Sequence, residues 1–224
     1  MKFIDFRKSA GDRPTFDESF ILLMNRQTEH KSKHIVQVIR NQLSGWQKKR
    51  YIIRLKKGLY TLAEDERTHP VNPLVVSSEL MSPSYVSLEW ALSYYGLIPE
   101  AAYVITCVTT RKTHLFQTPL GHFSYRHVQP HFFDGFVQQK DGNKWTYRLA
   151  IPEKAIVDFL YLNLDMIKVG DSRSFEENFR FQHLDTLNWD LVNRFLNQAG
   201  IKKLSLIGHL LQSWAETEGK YHEI

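Results

Sequence analysis

Between Glu29 and Glu64 the chain carries nine Lys and Arg and not one carboxylate. Such a segment cannot neutralise itself, so its cations must stand in water or meet an anion supplied from elsewhere. The asymmetry extends over the whole N-terminal quarter, where residues 1–63 hold 14 Lys and Arg against 5 Asp and Glu, while residues 64–224 hold 15 against 19. The first part is therefore +9 and the remainder −4, which together make the net +5 of the 224-residue chain. A boundary is signalled by AEDERTHPVNP, residues 63–73, which brings acids, two prolines and an Asn together. The expected organisation is an N-terminal module over 1–63, a linker over 64–73 and a second domain over 74–224.

Within the first module, Pro14-Thr15-Phe16-Asp17-Glu18 predicts a helix start with Thr15 as N-cap and Glu18 at N3 reaching back. That helix runs through Phe20, Leu23 and Met24 until polar residues from Asn25 to Lys33 interrupt it. A second helical pattern follows in IVQVIRNQLSGWQKK: Ile35, Ile39, Leu43 and Trp46 share one stripe, with Gln37, Arg40, Asn41, Ser44 and Lys48 opposite. Tyr51–Leu55 and Leu59–Leu62 are short β-prone runs, and Lys56-Lys57-Gly58 between them supplies the turn of a hairpin. Helices followed by a two-stranded hairpin with a charged tip have the layout of a winged helix-turn-helix module.

Beyond the linker the pattern predicts a helix over 87–95 closed by Gly96, then strands in YVITCVTT, THLFQT and HFSYRHV. A hairpin is expected around Asp141-Gly142-Asn143, and helices at PEKAIVDFLYLN, NWDLVNRFLNQ and KKLSLIGHLLQSW. The expected class is α+β: a winged helix-turn-helix, then a mixed domain with mainly antiparallel strands and C-terminal helices. With Cys107 as the one cysteine, neither an intrachain disulfide nor a multi-thiolate metal site can form. MKFIDFRKSAGDRP has no apolar run of signal-peptide length, and no stretch approaches a membrane span. A cytoplasmic protein with no membrane partner is the expectation.

Duplex DNA rewards a surface that lacks carboxylates, because each phosphate neutralised by Lys or Arg releases condensed counterions. Phosphate contacts position, and base edges specify. In the second helix, Arg40 offers a guanidinium for guanine, Gln37 and Asn41 offer amides for adenine, and Ser44 and Lys48 suit phosphate. Lys49, Arg50, Arg54, Lys56 and Lys57 continue the phosphate-facing surface into the hairpin. Trp46 and Tyr60 could stack on bases but are read as core.

Neither a P-loop, GxSxG, HExxH nor CxxC motif occurs. His122, His127 and His131 have ligand-like spacing, yet no nearby cysteine completes a structural zinc set, and no metal or cofactor is expected. Glu153 and Lys154 lack the spacer of a metal-dependent nuclease and read instead as the start of a helix. No catalytic residue is assigned. A rival to DNA binding is an adaptor whose basic module grips an acidic partner.

Five segments in register, RLKKGLYTL from Arg54, NPLVVSSEL from Asn72, PSYVSLEWALSYYGL from Pro83, VTTRKTHLF from Val108 and LAIPEKAIVDFLY from Leu149, carry a further signal. Over about residues 35–162 they resemble the AbiE type IV antitoxin family, bacterial regulators encoded beside a nucleotidyltransferase-like toxin. The resemblance implies a winged-helix repressor of its own operon, acting at inverted repeats in double-stranded DNA, and a C-terminal domain that counters the toxin without necessarily binding it. Relatives without a neighbouring toxin gene would be stand-alone regulators. The family's helix and wing map onto Arg40 to Lys57. This chain departs where the family commonly has Gly, at Arg50 in KKRYI.

Overall fold

Aromatic rings organise the N-terminal module. The computed structural model describes residues 1–24, 33–142, 144–167 and 179–222. Its first helix, α1 (Phe3–Ala10), has no side-chain cap and is too short to persist alone. It is held because Phe6, fully buried, stacks on Trp46 at 4.8 Å and meets Phe16 edge-on at 4.8 Å. Two Phe three residues apart are too few to establish a period, so the local pattern does not predict this helix.

The helix expected to start after Thr15 begins later. Phe16–Asp17 forms a short strand, β1, paired antiparallel with Tyr60 and Leu59, and α2 covers Glu18–Met24. Extended backbone at Phe16 lets its ring lie against both Phe6 and Tyr60. Capping passes to Asp17, whose Oδ1 accepts from the Phe20 amide at 2.9 Å, so Thr15 is not the cap. Of the polar interruption expected from Asn25 to Lys33, residues 25–32 lie outside the described residues and Lys33 opens α3. Helix α3 (Lys33–Lys48) buries Ile39, Leu43 and Trp46 as the periodicity predicts, and β2 (Ile52–Lys56) and β3 (Leu59–Leu62) form the expected hairpin. Gly58 takes φ 79° at its tip, a region that suits glycine. The three strands lie in the order β1-β3-β2.

Two hydrophobic clusters divide the described chain, and the hairpin belongs to both. Ile52, Tyr60 and Leu62 join Phe6 and Trp46 in the smaller cluster, whereas Leu55 and Leu59 near the tip join the larger one, which extends to Ala215. Residues 64–73 follow the first module closely. Arg67 Nε donates to the Leu62 carbonyl at 2.7 Å and Thr68 Oγ1 to that of Gly11 at 2.7 Å.

Past Asn72, whose side chain caps α4 (Pro73–Leu80), the chain builds a six-stranded sheet. Its strands are β4 (Ser84–Val86), β5 (Ile105–Thr109), β6 (His114–Thr118), β7 (Gly121–His127), β8 (Phe136–Lys140) and β9 (Thr146–Ala150), ordered β6-β7-β5-β4-β9-β8. The sheet is mixed: β4 pairs with β5, β6 with β7 and β8 with β9 antiparallel as expected, whereas β4 with β9 and β5 with β7 run parallel. Strand β4 sits at its centre yet is three residues long, too short to declare itself by alternation. The hairpin at Asp141-Gly142 joins β8 to β9, while the turn's third residue lies outside the described residues.

Alternation sorts the two faces of this sheet. On one, Tyr125 Oη donates to the Ser77 carbonyl of α4 at 2.6 Å. On the other, Tyr85 reaches α6 (Pro152–Leu162). Helix α5 (Leu88–Tyr94) packs beside α6, and α7 (Trp189–Ala199) and α8 (Lys202–His222) close the C-terminal end over Phe195, Leu204 and Leu211. The molecule is α+β, with an antiparallel and a mixed sheet and C-terminal helices. Among the described residues no helix is long and apolar enough to cross a membrane.

Candidate nucleic-acid interface

The 16 residues of α3 span about 24 Å at 1.5 Å per residue, with the flank opposite Ile39, Leu43 and Trp46 open to solvent. Gln37, Arg40, Asn41, Ser44 and Lys48 are all exposed there, and Lys49, in the turn that follows, is exposed as well. Two of them are pre-oriented along the helix: Gln37 Nε2 donates to Asn41 Oδ1 at 2.9 Å, one turn on. Arg40 leans back onto α2, with Nε 3.1 Å from Glu18 Oε1 and Nη2 3.4 Å from Oε2. The Arg40 side chain remains 56% exposed, so Glu18 steers it without enclosing it.

Arg50 occupies the handover from helix to hairpin with φ 59°, the left-handed region. Its amide donates to the Gln47 carbonyl at 3.0 Å and that of Tyr51 to Trp46 at 3.0 Å, the paired bonds of a Schellman C-cap. A glycine is the usual occupant of this position, and the left-handed backbone costs an L-residue about 1–2 kcal/mol. Its side chain is exposed.

The hairpin residues divide. Arg54 and Lys57 are exposed, and Arg54 Nε donates to the Lys56 carbonyl at 3.3 Å. Lys56 turns inward: its ammonium donates to the carbonyls of Leu80 at 2.6 Å and Glu79 at 3.3 Å, the unpaired oxygens at the end of α4. Burial pushes this lysine below its ordinary value, with Glu79 opposing the shift. Lys56 thus ties the hairpin tip to the second domain. Trp46 and Tyr60 are buried in the smaller cluster, 7% and 8% exposed, and are not placed to stack on a base.

A second concentration of polar chemistry lies far from solvent. Lys154 and Asp158, one turn apart on α6, are both fully buried and joined by an ion pair. Asp158 Oδ2 also accepts from Tyr85 Oη at 2.9 Å and from Ser87 Oγ at 2.8 Å, while Lys154 Nζ donates to Tyr85 Oη at 3.1 Å and stands 3.7 Å over the Phe132 ring. Burial raises Asp158, and Lys154 with the two hydroxyls pulls it partly back. Gly135 passes so close that a Cβ there would lie 2.7 Å from Lys154 Cγ. The group joins the β4 end of the sheet to α6, with Tyr85, Ser87, Lys154 and Asp158 all buried. Lys154 and Asp158 at i and i+4 amid apolar residues were the available sign of it, but Tyr85 and Ser87 lie too far off in sequence to be associated. Glu153 is similarly committed, its Oε1 accepting from the Asn188 amide at 3.0 Å at the start of α7. Among the described residues, no three His, Cys, Asp or Glu are grouped to hold a metal.

No family model matches the chain, and no curated protein does.

Proposed function

We propose that this protein is a sequence-specific DNA-binding repressor, with α3 as the reading helix and the β2–β3 hairpin as a wing of a winged helix-turn-helix. The observation that carries the reading is the exposure of Gln37, Arg40, Asn41, Ser44 and Lys48 along α3, of Lys49 and Arg50 just after it and of Arg54 and Lys57 in the hairpin, in a segment with no carboxylate of its own. Amides and a guanidinium at the start of that surface suit base edges, and cations at its end suit phosphates. Lys56 contributes by orienting the hairpin.

The resemblance carried by the five segments in register supports a narrower role, antitoxin of a type IV system that represses its own operon at inverted repeats and counters a nucleotidyltransferase toxin. The test is retardation of the gene's own upstream DNA by the purified protein. Retardation should weaken steeply with salt and survive an excess of unrelated duplex; affinity that does not change between low and moderate salt overturns the proposal.

A further inference from the structure

The two longest carboxylate-free runs of the chain are residues 30–63 and 101–133. The second lies wholly in the second domain and carries Arg111, Lys112 and Arg126 together with four histidines. Folding brings the runs together. Strand β2 packs against β6, Lys56 Nζ sits 5.9 Å from the centre of the Phe116 ring, and Arg111 is near enough to repel the Lys56 ammonium.

The loop between β5 and β6 is built to hold its shape. The Arg111 amide donates to Thr109 Oγ1 at 3.1 Å, the His127 amide to Thr113 Oγ1 at 3.2 Å, and His127 Nδ1 lies 3.0 Å from the Arg111 carbonyl. With its backbone anchored, the loop leaves Arg111, Lys112, Thr113 and His114 exposed. They line a shallow, open depression together with Met81, Thr110 and Phe116, and no carboxylate lines it. Like charges gathered on a fixed loop repel one another, a cost that an anionic occupant removes. Because the backbone is already ordered, little entropy is lost when one arrives.

We infer that the β5–β6 loop is a second phosphate-binding element, in which Arg111 and Lys112 hold the backbone of the same DNA duplex that α3 reads, beside the tip of the β2–β3 hairpin. The inference rests on the DNA-binding reading above and extends the interface across both parts of the chain. These contacts carry no base information, so their effect is uniform across sequences.

The full-length chain, its Arg111→Ala/Lys112→Ala variant and a Lys48→Ala/Lys49→Ala variant can be titrated by fluorescence anisotropy against a 30-bp mixed-sequence duplex over a range of salt. The loop variant should unfold at the parent's temperature and bind more weakly, with the slope of log K against log salt reduced by about 1.8, two phosphate contacts at about 0.9 each. An unchanged slope in the loop variant, alongside a reduced slope in the α3 variant, overturns this inference and leaves the DNA-binding reading standing. Failure of the parent to bind duplex at any salt overturns both. Poly-glutamate displacing the duplex at equal charge concentration overturns the assignment to DNA in favour of an acidic protein partner.

Discussion

Arg50 separates two roles that a single substitution can resolve. Its backbone sits where glycine is preferred, and its guanidinium sits on the proposed phosphate surface. Arg50→Gly should leave the fold intact or stabilise it by up to about 1 kcal/mol in urea unfolding. If the side chain meets phosphate, the same variant should lower the salt slope of DNA binding by about 0.9. A second residue-scale prediction concerns the buried pair on α6. Lys154→Met leaves an uncompensated carboxylate among Tyr85, Ser87 and Phe132 and should cost about 3–5 kcal/mol, whereas adding Asp158→Leu should recover much of the loss. Asp158 also sets a pH dependence. Its folded value is raised above 3.8, so its favourable contribution is complete below 3.8 and is lost as pH rises through the raised value. The difference in denaturation midpoint between the parent and Asp158→Asn, followed upward from pH 3, should move against the parent over that window.

Element-scale behaviour turns on how short helices are held. Helix α2 begins directly after the strand residue Asp17, which caps the Phe20 amide, and Asp17→Ala should lower stability by about 1 kcal/mol in equilibrium unfolding. Helix α3 carries Gly45 in its interior, where an added Cβ would meet nothing within 4 Å. Gly45→Ala should therefore stabilise by about 0.5–1 kcal/mol, read as a raised urea midpoint with unchanged m-value. The stripe of α3 was legible because four apolar residues recur over three turns. Strand β4 and helix α1 were not, the first having three residues and the second deriving its stability from rings contributed by distant segments.

At the scale of the whole molecule, the two parts of the chain are joined at more than the connecting segment. The hairpin tip enters the larger cluster through Leu55 and Leu59, Lys56 bonds the end of α4, and Trp145 Nε1 from the β8–β9 hairpin donates to the Asp12 carbonyl at 2.8 Å. Lys144 pairs with the Asp12 carboxylate at 3.1 Å beside it. Replacing Lys56 and Trp145 together, as Lys56→Ala/Trp145→Phe, should speed proteolytic cleavage within residues 63–73; cleavage at the parental rate would mean that these contacts do not restrain the parts. What the sequence alone determined is what local pattern can encode: the charge asymmetry, the stripe of α3, the turn at Gly58 and the order of most elements. The tertiary structure decided which cations are spoken for, since Lys56 and Lys57 are neighbours in sequence but only Lys56 meets carbonyls of α4. It also decided the parallel pairing of β5 with β7 and the meeting of Tyr85 and Ser87 with Asp158. Burial and these long-range hydrogen bonds are properties of groups brought together across the fold, and no short window along the chain contains Tyr85 or Ser87 together with Asp158, or Lys56 together with Leu80.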